Sequence, residues 1–241
     1  MFEPSFSIAE APLPYSTQAT RASASLPRRP AHAGPWALIS GIQRRWQRER
    51  RRRQVGRAFD MALEIARVLP ANSRLLDVGC GNGYIAHHLS ALLGTKAMGI
   101  DLASSTEAAI EYRQFDGEHF PVADNSVDAV LLCYVLHHAQ KVERVLTELR
   151  RVLSVGGLAV VYEDIPAAWW DRFICWTHDL KWRKRSGPCS FRLEHEWRKV
   201  FQRAGFEIVS ERALSRGRNL AHPVRRRLFV LTASLTASIQ G

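Results

Sequence analysis

The residues best suited to chemistry stand where apolar runs end. Leu75-Leu76-Asp77-Val78 passes straight into Gly79-Cys80-Gly81-Asn82-Gly83, and Tyr84-Ile85-Ala86 opens a helical pattern at once. Glycines at alternate positions between a strand and a helix supply positive φ and let a ligand approach the main chain more closely than a Cβ permits, so this loop is expected to hold a small molecule. The next apolar run, 97–101, ends in Asp101, 18 residues beyond Gly83. A carboxylate at the carboxyl end of a neighbouring parallel strand can accept two hydrogen bonds from a ribose diol; capping the next helix is the alternative role. Ala129 to Cys133 reads as a strand buried on both faces, and it delivers Tyr134, His137 and His138 to the same edge. Imidazoles there titrate near neutrality and are candidate bases for a substrate proton, unless they only shape the start of the following helix. Glu163 and Asp164, ending a later apolar run, are further pocket candidates.

Spacing narrows the ligand. A dinucleotide fingerprint wants a third glycine where Tyr84 stands, and a P-loop wants Gly-Lys-Ser/Thr at the loop end, so neither pattern is met. What remains is Asp77-x-Gly79-x-Gly81-x-Gly83. Asp116-Gly117-Glu118 followed by Phe120-Pro121 comes later, then Leu136-His137-His138, then a helix, Gly156-Gly157 and a strand. This ordered set resembles class I S-adenosylmethionine-dependent methyltransferases of the type 11 group, over residues 57–233. The resemblance implies a Rossmann-like, doubly wound, seven-stranded α/β sheet with an antiparallel last strand and helices on both faces. It implies S-adenosylmethionine as cofactor, with Asp77 bracing the glycine loop and the methionine moiety, and Asp101 on the ribose. Leu102 is then expected against the adenine, and Asp116 and the Gly117 amide at the adenine amine and ring nitrogen. Methyl transfer from a sulfonium is an in-line displacement, and alignment supplies most of its acceleration.

The acceptor is expected to be a small, possibly apolar molecule. Methyltransferases acting on the amino groups of nucleic-acid bases carry Asn/Asp-Pro-Pro-aromatic after the fourth strand, where this chain has Cys133-Tyr134-Val135-Leu136. No metal is expected, since His119 has no second ligand at helical or turn spacing. Two other classes stay open: a non-catalytic cofactor-binding interaction protein, and, against the glycine count, a nicotinamide oxidoreductase.

The elements around these residues follow from periodicity and punctuation. Residues 1–34, rich in Pro, Ala, Ser and Thr, are expected to be disordered. Residues 35–56 form an Arg-rich helical lead-in, and 58–69 a covering helix ended by Pro70. Of the formal net charge of +11, the first 56 residues hold ten arginines against three glutamates, or +7, which leaves +4 for the remaining 185. The basic stretch 36–53 is a solvated helix, a membrane-surface helix or a nucleic-acid contact. Gly94 should cap the helix after the glycine loop, and Gly156-Gly157 should stop the helix beginning near Val142. Residues 166–190 read as a lid-like insertion: Trp169, Phe173, Trp176 and Leu180 share one helical face, either lidding the acceptor or packed on the sheet edge. Strands near 206–213 and 227–233 should pair antiparallel, and 234–241 is a tail. Four cysteines without a C-x-x-C pair fit free thiols, and the absence of an export signal or a long apolar run suggests the cytoplasm.

Overall fold

The structure, a computed structural model, describes residues 35–214 and 222–234. The expectations for residues 1–34, for most of the loop after Leu214 and for the tail from 235 lie outside the described residues. The chain divides into two units, Met1–Trp46 and Gln47–Gly241. The opening of helix α1 (Pro35–Ala66) falls in the first and its remainder in the second.

In the second unit, α1 is followed by β1 (Leu75–Val78), α2 (Tyr84–Leu93), β2 (Met98–Asp101), β3 (Glu111–Gln114) and β4 (Val127–Cys133). Then come α3 (Val142–Val152), β5 (Leu153–Ile165), α4 (Trp169–Ser186), α5 (Glu194–Arg203), β6 (Phe206–Leu214) and β7 (Arg225–Ala233). The seven strands form one sheet in the order β3-β2-β1-β4-β5-β7-β6. β1 to β5 pair in parallel, while β7 lies between β5 and β6 and runs antiparallel to both. The expected sheet and its antiparallel last strand are therefore observed.

Alternation along the central strands sorts the core into two layers. Leu76, Val78, Val130, Leu132, Val161, Phe229 and Leu231 face α3 and α5, where Leu146, Leu149, Trp197 and Phe201 are fully buried. Leu75, Ala129, Leu131, Val160, Leu228 and Val230 face α1 and α2, against Ala62, Ile65, Ala86 and Leu89. A period of two along a strand makes this division, so a one-residue slip in any central strand would invert it. Phe201 stacks on Trp197 at 5.7 Å between ring centroids and meets Phe229 edge-on at 5.3 Å, the aromatic centre of the first layer.

Two boundaries differ from expectation. The Arg-rich lead-in and the covering helix are one continuous helix, because Gly56 weakens it without breaking it. α3 ends at Val152, not at the glycines. Leu153 already pairs with Val127, and the next register pair is Ala129 with Leu158, so Gly156-Gly157 sits in a bulge inside β5, with Gly156 at φ 76°. At α4 the structure decides between the two expected roles of the aromatic face. Trp169, Trp170, Phe173, Trp176 and Leu180 are exposed, so the aromatic face is not packed on the sheet edge. Its covered face carries Asp171, Cys175 and Asp179, all buried, with His178 half-buried beside them.

Gly56 is exposed in mid-helix, and no atom stands within 4 Å of where its Cβ would lie. Gly56→Ala is expected to stabilise α1 by up to about 1 kcal/mol and to raise the melting temperature by about 2–4 °C. Differential scanning calorimetry checks this; a lowered melting temperature would show that Gly56 serves something other than helix continuity.

Candidate functional site

The site is assembled where β1, β2 and β4 end. Gly79, Gly81 and Gly83 all adopt positive φ, at 66°, 54° and 74°. Two of them are also required by packing: a Cβ on Gly79 would stand 2.6 Å from Val135, and one on Gly83 would stand 2.7 Å from the Thr106 hydroxyl. Gly81 differs, since no atom lies within 4 Å of its Cβ position. The space beside its Cα is open, as a ligand cradle requires, while its N–H and carbonyl are bonded to Asp101 and Thr106. The loop is held to β2 by Gly79 and Cys80 N–H groups donating to the Ile100 carbonyl at 2.8 and 3.1 Å. Gly83 in left-handed conformation then precedes α2, and Gly94, also left-handed at φ 66°, closes that helix as expected.

The two carboxylates take different roles. Asp101 accepts from the Gly81 N–H at 2.8 Å and the Ala103 N–H at 3.1 Å, so it ties the glycine loop to the end of β2, and a ribose diol binding here would share or replace those bonds. Asp77 is 1 % exposed, and its Oδ2 has no partner. Burial, then the charge of Asp101, push its carboxyl up to about 7, while a hydrogen bond from the Ala86 N–H works the other way. A buried, half-satisfied carboxylate beside a second carboxylate is a place where a cationic ligand group is welcome. The cofactor's ammonium and sulfonium are such groups, so these residues fit S-adenosylmethionine.

On the outer side of β2, Leu102 is exposed and stands 3.1 Å from where a Gly117 Cβ would be, with Gly117 at φ 88°. The structure therefore brings Leu102, Asp116 and Gly117 together at one edge. Asp116 is occupied by its own turn: it accepts from the Glu118 and His119 N–H groups at 2.7 Å and meets His119 Nδ1 at 2.9 Å. Those bonds, the His119 ring first, hold its carboxyl below the usual carboxylate range. An adenine amine reaching Asp116 competes with that ring. The connection from β2 to β3 is only residues 102–110 and contains no helix, although parallel neighbours are usually joined by a longer helical crossover. Instead it braces the glycine loop: Thr106 Oγ1 donates to the Gly81 carbonyl at 3.0 Å and the Ala108 N–H to the Asn82 carbonyl at 3.0 Å.

Tyr134 follows β4 at φ 62°, a left-handed conformation that costs a bulky residue of order 1–3 kcal/mol. Its N–H donates to the Tyr162 carbonyl at 2.8 Å, and the Arg226 guanidinium lies 5.7 Å from its ring centroid. With Arg57, Glu64 and Tyr162 it lines a cleft of about 430 Å³ between the second half of α1 and the carboxyl ends of β4 and β5. That volume lies within the usual range for small-molecule sites.

His137 and His138 lie beyond it, in different settings. His137 is 1 % exposed, with Nδ1 2.6 Å from Glu163 Oε2 and Phe191 stacked on its ring at 4.6 Å. Burial opposes its protonation, but the Glu163 carboxylate overrides this by charge and hydrogen bond, so His137 sits above its ordinary range. Glu163 Oε1 also accepts from the Leu136 N–H at 2.8 Å, which fixes the carboxylate from two sides. His138 is half-buried; its Nδ1 lies 3.2 Å from Ser186 Oγ and its Nε2 3.2 Å from His178 Nε2. Burial, then His137 and His178, push His138 down to about 4. Asp164 accepts from His222 at 2.8 Å and from Arg226 Nε at 3.1 Å. Sequence reading missed His178, Cys189 and His222, which reach this cluster from 40 or more positions away. The available signal was the polar stripe Asp171, Cys175, His178, Asp179 at helical spacing on α4.

Sheet order, glycine cradle and paired carboxylates define a Rossmann-like domain built to hold a nucleoside cofactor. Residues 76–161 match the family model for the methyltransferase domain. Sterol 24-C-methyltransferase ERG6B of Gibberella zeae is 32% identical over 103 residues, covering 37% of this chain and 27% of that protein. The tRNA (carboxymethyluridine(34)-5-O)-methyltransferase ALKBH8 of Mus musculus is 33% identical over 108 residues, covering 42% of this chain and 16% of its own length. The chain thus spans well under two thirds of these relatives. A crystal structure of an S-adenosylmethionine-dependent methyltransferase from Methanosarcina mazei shares the fold at TM-score 0.57 and 20% identity, over 71% of this chain and 97% of that one. Residues 76–161 thus match the methyltransferase-domain family within a fold shared with solved S-adenosylmethionine-dependent methyltransferases. S-adenosylmethionine is the cofactor that this match implies.

The raised Asp77 gives a pH signature. Its folded value of about 7 lies above the unfolded 3.8, so the stability it contributes is fully present below about pH 4 and is lost as pH rises through 7. Asp77→Asn keeps the acceptor for Ala86 and removes the charge. Without cofactor its unfolding free energy should match the parent's near pH 3.5 and exceed it increasingly as pH rises to about 7, by at most about 4 kcal/mol from three pKa units. Parallel pH profiles of parent and variant would contradict this assignment.

Proposed function

We propose that the chain moves a methyl group from S-adenosylmethionine to a small, apolar acceptor held at the carboxyl edge of β4 and β5. The observation that carries the donor half is the open space at Gly81 together with the buried, half-satisfied Asp77. On this reading Gly79, Gly81, Gly83 and Asp77 receive the methionine end, Asp101 the ribose, and Leu102 with Asp116 and Gly117 the adenine. Tyr134 stands between donor and acceptor, where its held backbone fixes the ring. The chain's part in the reaction is alignment and exclusion of water, which is what an in-line displacement from a sulfonium needs. His138, the more open of the two imidazoles, is the one an acceptor can reach.

Support for an apolar acceptor comes from α4. Trp169, Trp170, Phe173 and Trp176 form an unbroken exposed series, with successive ring centroids 5.4, 5.8 and 6.0 Å apart, on the insertion after β5. Such a surface suits a hydrophobic molecule arriving at the site, and the sterol methyltransferase among the relatives acts on a substrate of that kind. The tRNA methyltransferase relative and the exposed, arginine-rich residues 42–53 of α1 favour a second reading, with an RNA acceptor. The absence of the Asn/Asp-Pro-Pro-aromatic run after β4 counts against base amino groups as its target.

Calorimetric titration should show saturable binding of S-adenosylmethionine and S-adenosylhomocysteine and none of NADH. Gly81→Val and Asp101→Ala should each weaken binding at least tenfold with the circular dichroism spectrum retained. With methyl-labelled cofactor, label should appear in an organic-soluble lipid extract rather than in bulk tRNA. Absence of cofactor binding by folded protein would refute the donor site, and label in tRNA would overturn the acceptor class.

A further inference from the structure

Outside the cofactor cradle the structure gathers three imidazoles at one point. His137, His138 and His178 each offer a ring nitrogen, and these nitrogens lie within 4.8 Å of one another. His138 Nε2 and His178 Nε2 are 3.2 Å apart. Two nitrogens bound to zinc at about 2.0–2.1 Å in a tetrahedral array stand about 3.3 Å apart, so this pair already has the required separation. The third nitrogen is about 1.5 Å beyond a tetrahedral edge, a gap that the half-buried His138 and His178 can close by small side-chain rotations.

A hydrogen bond between His138 and His178 would explain their approach, but it does not explain His137. Its Nδ1 is taken by Glu163, and its Nε2 is buried with no partner. Leaving such an atom unsatisfied costs about 1–3 kcal/mol. A carboxylate behind one ring nitrogen, fixing the other toward a common point, is the arrangement of metal-bound histidines. The same holds at His138, whose Nδ1 is engaged by Ser186 Oγ at 3.2 Å and approached by Cys189 Sγ at 3.4 Å, leaving Nε2 for the shared point. Buried Glu163, Asp164 and Asp179 surround the cluster and favour a cation.

We propose that His137, His138 and His178 form a binding site for a divalent transition-metal ion of the zinc class, backed by Glu163. Three nitrogen ligands leave a fourth position open, as in sites that engage a further ligand and unlike closed four-ligand structural sites. Any proton carried by His137 Nε2 leaves as the metal binds, while Nδ1–H stays on Glu163. Nothing in the proposal depends on methyl transfer. The sequence expectation of no metal fails to anticipate the site because its ligands come from the turn after β4 and from mid-α4, 40 residues apart, with no local spacing to reveal them.

The full chain, stripped with chelator, is titrated with zinc chloride by calorimetry, its metal content is measured by mass spectrometry, and the cobalt(II) form is examined by visible absorption. One ion per chain at submicromolar affinity, with the absorption of four-coordinate cobalt, is the expected result. His178→Ala and His178→Asn should weaken zinc binding at least a hundredfold. Glu163→Gln, which keeps an acceptor for the Leu136 N–H and removes the carboxylate behind His137, should weaken it about tenfold. His195→Ala, at an exposed position on α5, should bind as the parent does. No stoichiometric binding, or undiminished binding by both His178 variants with native circular dichroism, would overturn the proposal.

Discussion

Everything at the cofactor edge depends on how closely β1 leaves the sheet beneath its neighbours. The chain must turn from strand to helix within five residues while passing Val135 on one side and the 102–110 connection on the other. At Gly79 and Gly83 a Cβ would approach those neighbours to under 3 Å, and the turn needs positive φ at both. Because the turn is so tight, successive N–H groups point at the end of β2: Gly79 and Cys80 to the Ile100 carbonyl, Gly81 to Asp101. The same compression explains Asp77. It is the one polar residue of β1, placed by strand alternation on the α2 side, where it receives the Ala86 N–H but nothing at Oδ2. Close packing at Gly79 and Gly83 thus frames the open position at Gly81, next to a strand end that leaves Asp77 half-satisfied.

A second organising constraint acts at the carboxyl ends of β4 and β5 and the amino end of the antiparallel β7. Strand ends there carry Glu163, Asp164 and Arg226 into the interior, and buried charges survive only when paired. Glu163 takes His137, and Asp164 takes Arg226 and His222. Asp171 and Asp179, on the covered face of α4, accept from the Arg225 and Cys189 N–H groups at 3.2 and 2.7 Å. The orientation of α4 follows from these bonds. A helix whose inner face must satisfy strand-end and loop amides turns its polar residues inward, and its tryptophans are left outside.

Legibility from sequence divides along this line. β1, α2, β2 and β4, the glycine turn and the antiparallel closing strands were readable because each rests on a local signal: alternate glycines, a short apolar run, a left-handed cap at Gly94. α4 stayed undecided in the sequence because its aromatic spacing is helical but says nothing about which face is covered; its partners lie at 138, 189 and 225, far along the chain. Gly156-Gly157 resembles a helix stop, yet Leu153 pairs with Val127 first, and pairing across the sheet decides the boundary. His178 showed only as part of a polar stripe on α4, and Cys189 and His222 gave no local pattern.

The missing helix between β2 and β3 bears on how the cofactor edge can work. A crossover helix would ordinarily bury the outer side of β2; here residues 102–110 lie against the glycine loop instead, pinned through Thr106, Ala108 and the bonds from Asn82 and Tyr84 to Glu107 at 2.6 and 2.8 Å. Leu102 is consequently 58 % exposed. Any adenine at this edge gains less apolar burial than a deeper pocket would provide, at about 25 cal/mol per Å² of surface removed from water. On the proposed reading, affinity then comes mainly from the methionine end, where the glycine loop and the buried Asp77 are already in position.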